Sequence, residues 1–281
     1  MIEQKTLRWT SPLSFNDPFD TQTRIVATNL GAERFAHAFA ERYREIVFND
    51  ELPAYFKADN ELHRTAALMR KASDDDKHKA IKRFGGYALE MTENLDQHLA
   101  KYSGEVSSHL QHGQVICLTE DINNVVMWSH YAEDHKGVGF KFRVLDELDH
   151  PFLLARKVNY SRDYINMGTP DEIADHLFGV SVIDMVALSW ELVYLKHENW
   201  AYEREWRCYW PLLDRDAPAG FTDRRQDARL FDSVYLGCSM SDNEAQKFVE
   251  LVRHHLPATP VLKARKSTTN FDLQFDLIYT P

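Results

Sequence analysis

Paired cysteines are missing from this sequence. Cys117, Cys208 and Cys238 are three, widely spaced, and none belongs to a CxxC or Cys/His pattern. A disulfide framework and a zinc finger are therefore both unsupported, and the three read as free thiols. Long apolar runs are missing too. No segment reaches the roughly 20 apolar residues of a membrane span, and residues 1–20 hold no run of signal-peptide length. These absences lead to the expectation of a cytoplasmic chain with no membrane contact. Positive charge is also short: the formal net charge is −10, which argues against a protein that coats nucleic acid by neutralising phosphates. Walker, G-x-S-x-G and HEXXH sequences are absent, and GVGF at 137–140 lacks the spacing of a phosphate loop. His130 and His135, five apart, would lie about 140° apart on a helix, so no metal site is expected.

What is present suits a packed fold. Hydrophobic residues make up 44% and aromatics 12%, enough for a sizeable core and a stacking pocket. KTLRWTSPL at 5–13 reads as a strand, followed by the turn SFNDPFD. Phe35, Ala38, Phe39, Tyr43 and Ile46 space a helix over 33–49, and the charged stretch 59–111 reads as two or more solvent-facing helices. From Gly113 the pattern changes. VICLTE reads as a strand, and NNVVMWSHYAEDHKG as a helix capped by Asn123 or Asn124 and stopped at Gly137. Strands follow at 138–144, at LLARKVNYS and around 204–210. A long apolar-faced helix is expected over 170–198. SVYLG, a helix at 241–255, VLKARKS and FDLQFDLIY complete the chain. Strands dispersed among helices without βα repeats predict an α+β fold. Its sheet should be mixed and mainly antiparallel, in a single domain 1–281 with a charged helical insertion at about 30–112.

The sharpest chemical feature is WAYEREWR at 200–207. On a strand, Glu203, Glu205 and Arg207 would share one face and Tyr202, Arg204 and Trp206 the other. Neighbouring carboxylates on one face repel, which can separate acid from base roles. A charged edge strand facing water explains the same pattern. On a helix, His130 would face Asp134 and Val126, so an Asp-oriented imidazole is geometrically possible; a helix-face histidine bonded to a neighbour is the plainer alternative. Trp128 and Tyr131 are core or pocket wall. Asn16, Asp17 and Asp20 can hold the SFNDPFD turn through their own backbone, or offer a polar loop to a ligand.

SPLSFNDPFD, ICLTE…MWSHYAEDHKGVGFKF and K…NWAYEREWR, in this order, resemble a bacterial family of unknown function over residues 5 to about 240. More distantly the chain resembles ADP-ribosyltransferases, including DarT-like modifiers of nucleic acid, whose late catalytic strand often carries E-x-E. The resemblance implies NAD as a substrate, Glu205 gripping the nicotinamide ribose and stabilising its cation, and Glu203 orienting the acceptor. It implies His130 as a stand-in for an early Arg or His that would lie ahead of this chain's first strand. Asn16, Asp17, Trp128, Ser129, Tyr131 and Arg207 would then line the NAD pocket. The implied role is a toxin or anti-phage defence effector that modifies nucleic acid or protein, with a neutralising partner protein. The residues alone leave open a hydrolase or nuclease using Asp17, His130 and the two glutamates, with or without a divalent ion, and a non-enzymatic ligand-sensing module.

Overall fold

The computed structural model describes residues 1–27, 31–49, 61–211 and 220–281. In chain order its strands are β1 Thr6–Thr10, β2 Ile25–Val26, β3 Gln114–Thr119, β4 Val138–Phe142, β5 Arg156–Lys157, β6 Asn159–Ser161 and β7 Ile165–Asn166. They continue with β8 Leu195–His197, β9 Glu205–Trp210, β10 Phe221–Arg225, β11 Phe231–Leu236, β12 Val261–Lys266 and β13 Leu273–Tyr279. The helices are α1 Ala32–Phe48, α2 Glu61–Leu68, α3 Asp74–Leu110, α4 Val125–Tyr131, α5 Pro170–Leu177, α6 Met185–Glu191 and α7 Asp242–His255. The fold is α+β with sheets that are mainly antiparallel. The expected charged helices appear as α2 and α3; Asp59 and Asn60, where that stretch was expected to begin, lie outside the described residues.

The chain divides into two compact units. Met1–Thr21, His109–Arg162 and Tyr194–Pro281 form the first; Gln22–Ser108 and Asp163–Val193 form the second. In the second unit α1 buries Phe35, Phe39, Tyr43 and Ile46, residues spaced three and four apart that make one apolar stripe. Phe39 meets Phe178 beyond α5, and Tyr43 stacks on Phe84 of α3. The single helix expected over 170–198 is instead two short helices followed by a strand. Thr169 starts α5 with a capping box and Pro170 at its first turn, and Gly179, at φ 75°, takes the chain out of helical geometry. Asp184 then caps α6 by accepting from Ala187 N at 2.9 Å.

The first unit carries two larger sheets and a parallel two-stranded one, β6-β8. One larger sheet has the order β10-β1-β3-β9-β5 and is antiparallel throughout; the other runs β13-β12-β11-β4, with β11 and β12 parallel. Alternation assigns the faces of the first sheet. Leu7, Trp9, Ile116 and Cys208 point one way and join Phe152 and Leu230 in a buried cluster. Cys208 is sealed there, and burial pushes its thiol up to about 12, as expected of an inert cysteine. Glu205 and Arg207, two apart on β9, take the opposite face, in register with Thr119 and Cys117.

Helix α4 begins where expected, with the Asn124 side chain accepting from Val126 N and Met127 N. It ends at Tyr131, six residues before Gly137. Glu133, Asp134 and His135 all turn left-handed, with φ of 49°, 53° and 65°, and Lys136 N and Gly137 N both donate to Ala132 O. This tight return needs Gly137, because a Cβ there would lie 2.9 Å from the Ala132 backbone.

Candidate functional site

The chain reaches Glu203 on a 3-10 turn, Glu198–Glu203, and Glu205 on a strand. The expectation that Glu203, Glu205 and Arg207 alternate along one strand is therefore corrected: β9 starts at Glu205. Arg204 between them is left-handed (φ 47°, ψ 49°), a conformation that costs about 1–2 kcal/mol outside glycine. Other bonds hold it there. Thr119 Oγ1 donates to Glu203 O at 2.7 Å, Asn124 Nδ2 donates to Tyr202 O at 2.6 Å, and Glu120 N donates to Arg204 O at 3.3 Å. The reversal at Arg204 brings both carboxylates to one cation by a route that period-two alternation does not describe.

That cation is Lys196 of β8. Its Nζ lies 2.6 Å from Glu203 Oε2, 3.2 Å from Glu205 Oε2 and 3.6 Å from Asp20 Oδ2. Arg207 completes the cluster. Its guanidinium donates to Glu205 Oε1 at 2.6 Å and Oε2 at 3.0 Å, and to Asp20 Oδ1 and Oδ2, both at 2.6 Å. Tyr131 donates its hydroxyl to Glu203 Oε1 at 2.6 Å. Tyr160 accepts the backbone N–H of Glu205 at 2.8 Å. All five charged residues are buried, Arg207 completely and Lys196 to within 6%. Three carboxylates thus face two cations, a formal surplus of one negative charge in a region nearly closed to water.

Burial alone raises the Glu205 carboxyl, but the charge and hydrogen bonds of Arg207 and the charge of Lys196 outweigh it and hold the group below its usual range. Burial opposes the charged form of Lys196 as well; Glu205, Glu203 and Asp20 reverse that and hold the amine above its ordinary value. The Tyr131 hydroxyl is raised by burial and then by the neighbouring Glu203 carboxylate, so it stays a donor at neutral pH. Because Glu205 is depressed, its contribution to stability is present above the unfolded carboxyl value of about 4.3 and is lost as pH falls through its folded value. Melting temperature should hold level between about pH 8 and 5.5 and drop below about pH 4. Calorimetry should find the drop shallower in Glu205→Gln; an equally steep drop in the variant contradicts this assignment.

The structure sorts the other expected residues. His130 is exposed, and its Nδ1 lies 3.2 Å from the Tyr202 hydroxyl. Asp134 does not orient it, because α4 ends at Tyr131 and Asp134 sits in the left-handed return. His130, Tyr131, Tyr202 and Trp200 instead form an aromatic rim, with ring centroids 6.1–6.3 Å apart from one to the next. Lys196 Nζ lies 4.8 Å from the Trp200 ring, tying the rim to the buried charges. Trp128 is core: its indole donates to Ile122 O, and it packs with Ala132 and Leu273. Ser129 and Asn16 are exposed.

Asp17 is buried, but its Oδ1 accepts from Phe19 N within its own turn and its Oδ2 has no partner. The SFNDPFD turn reaches the cluster through Asp20, which was expected to hold the turn or face a ligand and instead pairs with Arg207 and Lys196. Asn at position 17 can keep the bond to Phe19 and breaks no other bond of the side chain, so Asp17→Asn should change stability by less than about 1 kcal/mol. Asp20→Asn strips charge from the two-point grip on Arg207 and should cost about 1.5–3 kcal/mol. Urea unfolding of the two variants measures both, and the reverse ranking contradicts the role given to Asp20. Lys196, the first residue of the K…NWAYEREWR block, was given no role, because only the fold shows that β8, through its pairing with β6, delivers it to Glu203 and Glu205.

Among the described residues no group of three or more His, Cys, Asp or Glu is arranged to hold a metal ion, and no helix is long and apolar enough to cross a membrane. No curated protein and no solved structure matches the chain. A family model described as a protein of unknown function (DUF2971) matches residues 127–208, from the second half of α4 through the glutamates to Cys208.

Proposed function

We propose that the Glu203–Glu205 cluster and its aromatic rim are the site of an ADP-ribosyltransferase-like enzyme that consumes NAD and modifies an acceptor macromolecule. The observation that carries the reading is the surplus carboxylate: three acids against two cations, all five side chains buried. When nicotinamide leaves NAD, positive charge develops on the ribose. Fixed negative charge in a poorly screened region stabilises that charge without reorganising at the moment of reaction. Arg207 and Lys196 keep Glu205 ionised at neutral pH. The rim of His130, Tyr131, Tyr202 and Trp200 offers ring faces on which nicotinamide can stack, and Tyr131 is hydrogen-bonded directly to Glu203.

A second reading is favoured by the completeness of the ion pairing. Every carboxylate oxygen of Glu203 and Glu205 already has a partner, and each residue is 3% exposed. On that reading the cluster is an internal brace in a non-enzymatic ligand-sensing module. NAD labelled in its ADP-ribose portion separates the two. Incubation with cell protein or single-stranded DNA should move label onto one of these acceptors. A chain that neither transfers label, nor liberates ADP-ribose, nor is thermally stabilised by NAD is the braced module and not the transferase.

A further inference from the structure

A cavity of about 960 Å³ in the first unit lies between β1, β3 and β9 of one sheet and β4 and β11 of the other, with Leu118 and Trp206 on the sheet face opposite Glu205 and Arg207. Its walls are mainly apolar; Leu7, Leu118, Phe140, Phe142, Trp206 and Tyr235 are among them. We propose that this cleft binds an uncharged, apolar small molecule, a ring system or short hydrocarbon chain, independently of the NAD-consuming site. Four observations carry the proposal.

The volume falls in the range of about 300–1,000 Å³ typical of small-molecule sites. The cleft opens to solvent past Met1 and Val144, so its apolar walls lack partner atoms that an occupant would supply. The charges on its walls are already matched. Arg8 grips Asp223 through two bonds of 3.0 Å, Lys141 pairs with Asp232 at 3.1 Å, and Glu120 pairs with Lys157 at 3.2 Å. The remaining polar groups are largely committed as well: the Trp206 indole donates to Glu120 at 3.0 Å, and Thr119 Oγ1 donates to Glu203 O. An ionic ligand would have to displace an existing pair, whereas a neutral one only covers apolar wall.

The probe is N-phenyl-1-naphthylamine, neutral and aromatic, with its anionic sulfonate relative 8-anilinonaphthalene-1-sulfonate as comparison. The neutral probe should bind saturably in the micromolar range, at least 10-fold more tightly than the anion, with energy transfer from Trp206 that falls in Trp206→Phe. Ala155→Phe fills the cleft from its wall, and Val144→Trp fills it from an exposed lining position without disturbing the core. Each should weaken the neutral probe at least 10-fold while the melting temperature stays within a few degrees. Absence of saturable binding, equal affinity in a folded Val144→Trp protein, or preference for the anion would each overturn the proposal. None of these outcomes bears on NAD consumption, because the cleft and the charged cluster are read out by different ligands.

Discussion

Replacing Arg207 with Met should destabilise the first unit by about 3–5 kcal/mol, the usual cost of removing one partner from a buried ion pair. The side chain is wholly buried and makes charge-assisted bonds to both carboxylate oxygens of Asp20 and of Glu205. Methionine fills similar volume, so the loss reports charge and not a cavity. What remains is three carboxylates around Lys196 alone. The cost therefore lies mainly in stranded negative charge, and the rescue follows from it. Adding Asp20→Asn to Arg207→Met should recover part of the loss, giving a non-additive cycle with a coupling of about 1 kcal/mol or more. Urea unfolding measures all four proteins. A loss below about 1 kcal/mol, or strict additivity, means that the cluster is solvated in solution and does not act as one buried unit.

Glu205→Gln is expected to have the largest effect on chemistry. The substitution keeps shape and one acceptor oxygen but removes the charge that lies 2.6 Å from Arg207 and 3.2 Å from Lys196. If that charge serves a ribosyl cation, its loss raises the barrier by a few kcal/mol, so turnover should fall by about 10²-fold or more. NAD affinity should change little, because the interaction strengthens as positive charge develops. The signature is a fall in kcat with KM nearly constant. A brace has the opposite one: lower melting temperature and no selective loss of kcat.

Much of the fold was legible because periodicity and caps are local signals. The stripe of Phe35, Phe39, Tyr43 and Ile46 marks α1, Asn124 marks the start of α4, and the alternation Glu205, Arg207 marks β9. Breaks inside apolar stretches were harder to see. The helix expected over 170–198 fails at Gly179, and the one over 123–137 fails where three ordinary residues turn left-handed, a strain held by Ala132 and Gly137. The site was legible in part. Glu203, Glu205, Arg207 and Tyr131 do assemble, while Trp128 went to the core and Asp17 to its own turn. Asp20 and Lys196 could not be assigned by spacing. They are 176 positions apart, and only tertiary contact brings Asp20 to Arg207 and Lys196, and Lys196 to Glu205.

On the proposed function, the surplus buried charge at Glu203 and Glu205 acts on NAD. Nicotinamide release by the purified chain, wild type beside folded Glu205→Gln, tests it most directly. Measurable release by the wild type is expected, with release at least about 10²-fold slower in the variant at unchanged NAD affinity. Equal release by both proteins, or NAD binding with no release by either, would contradict it.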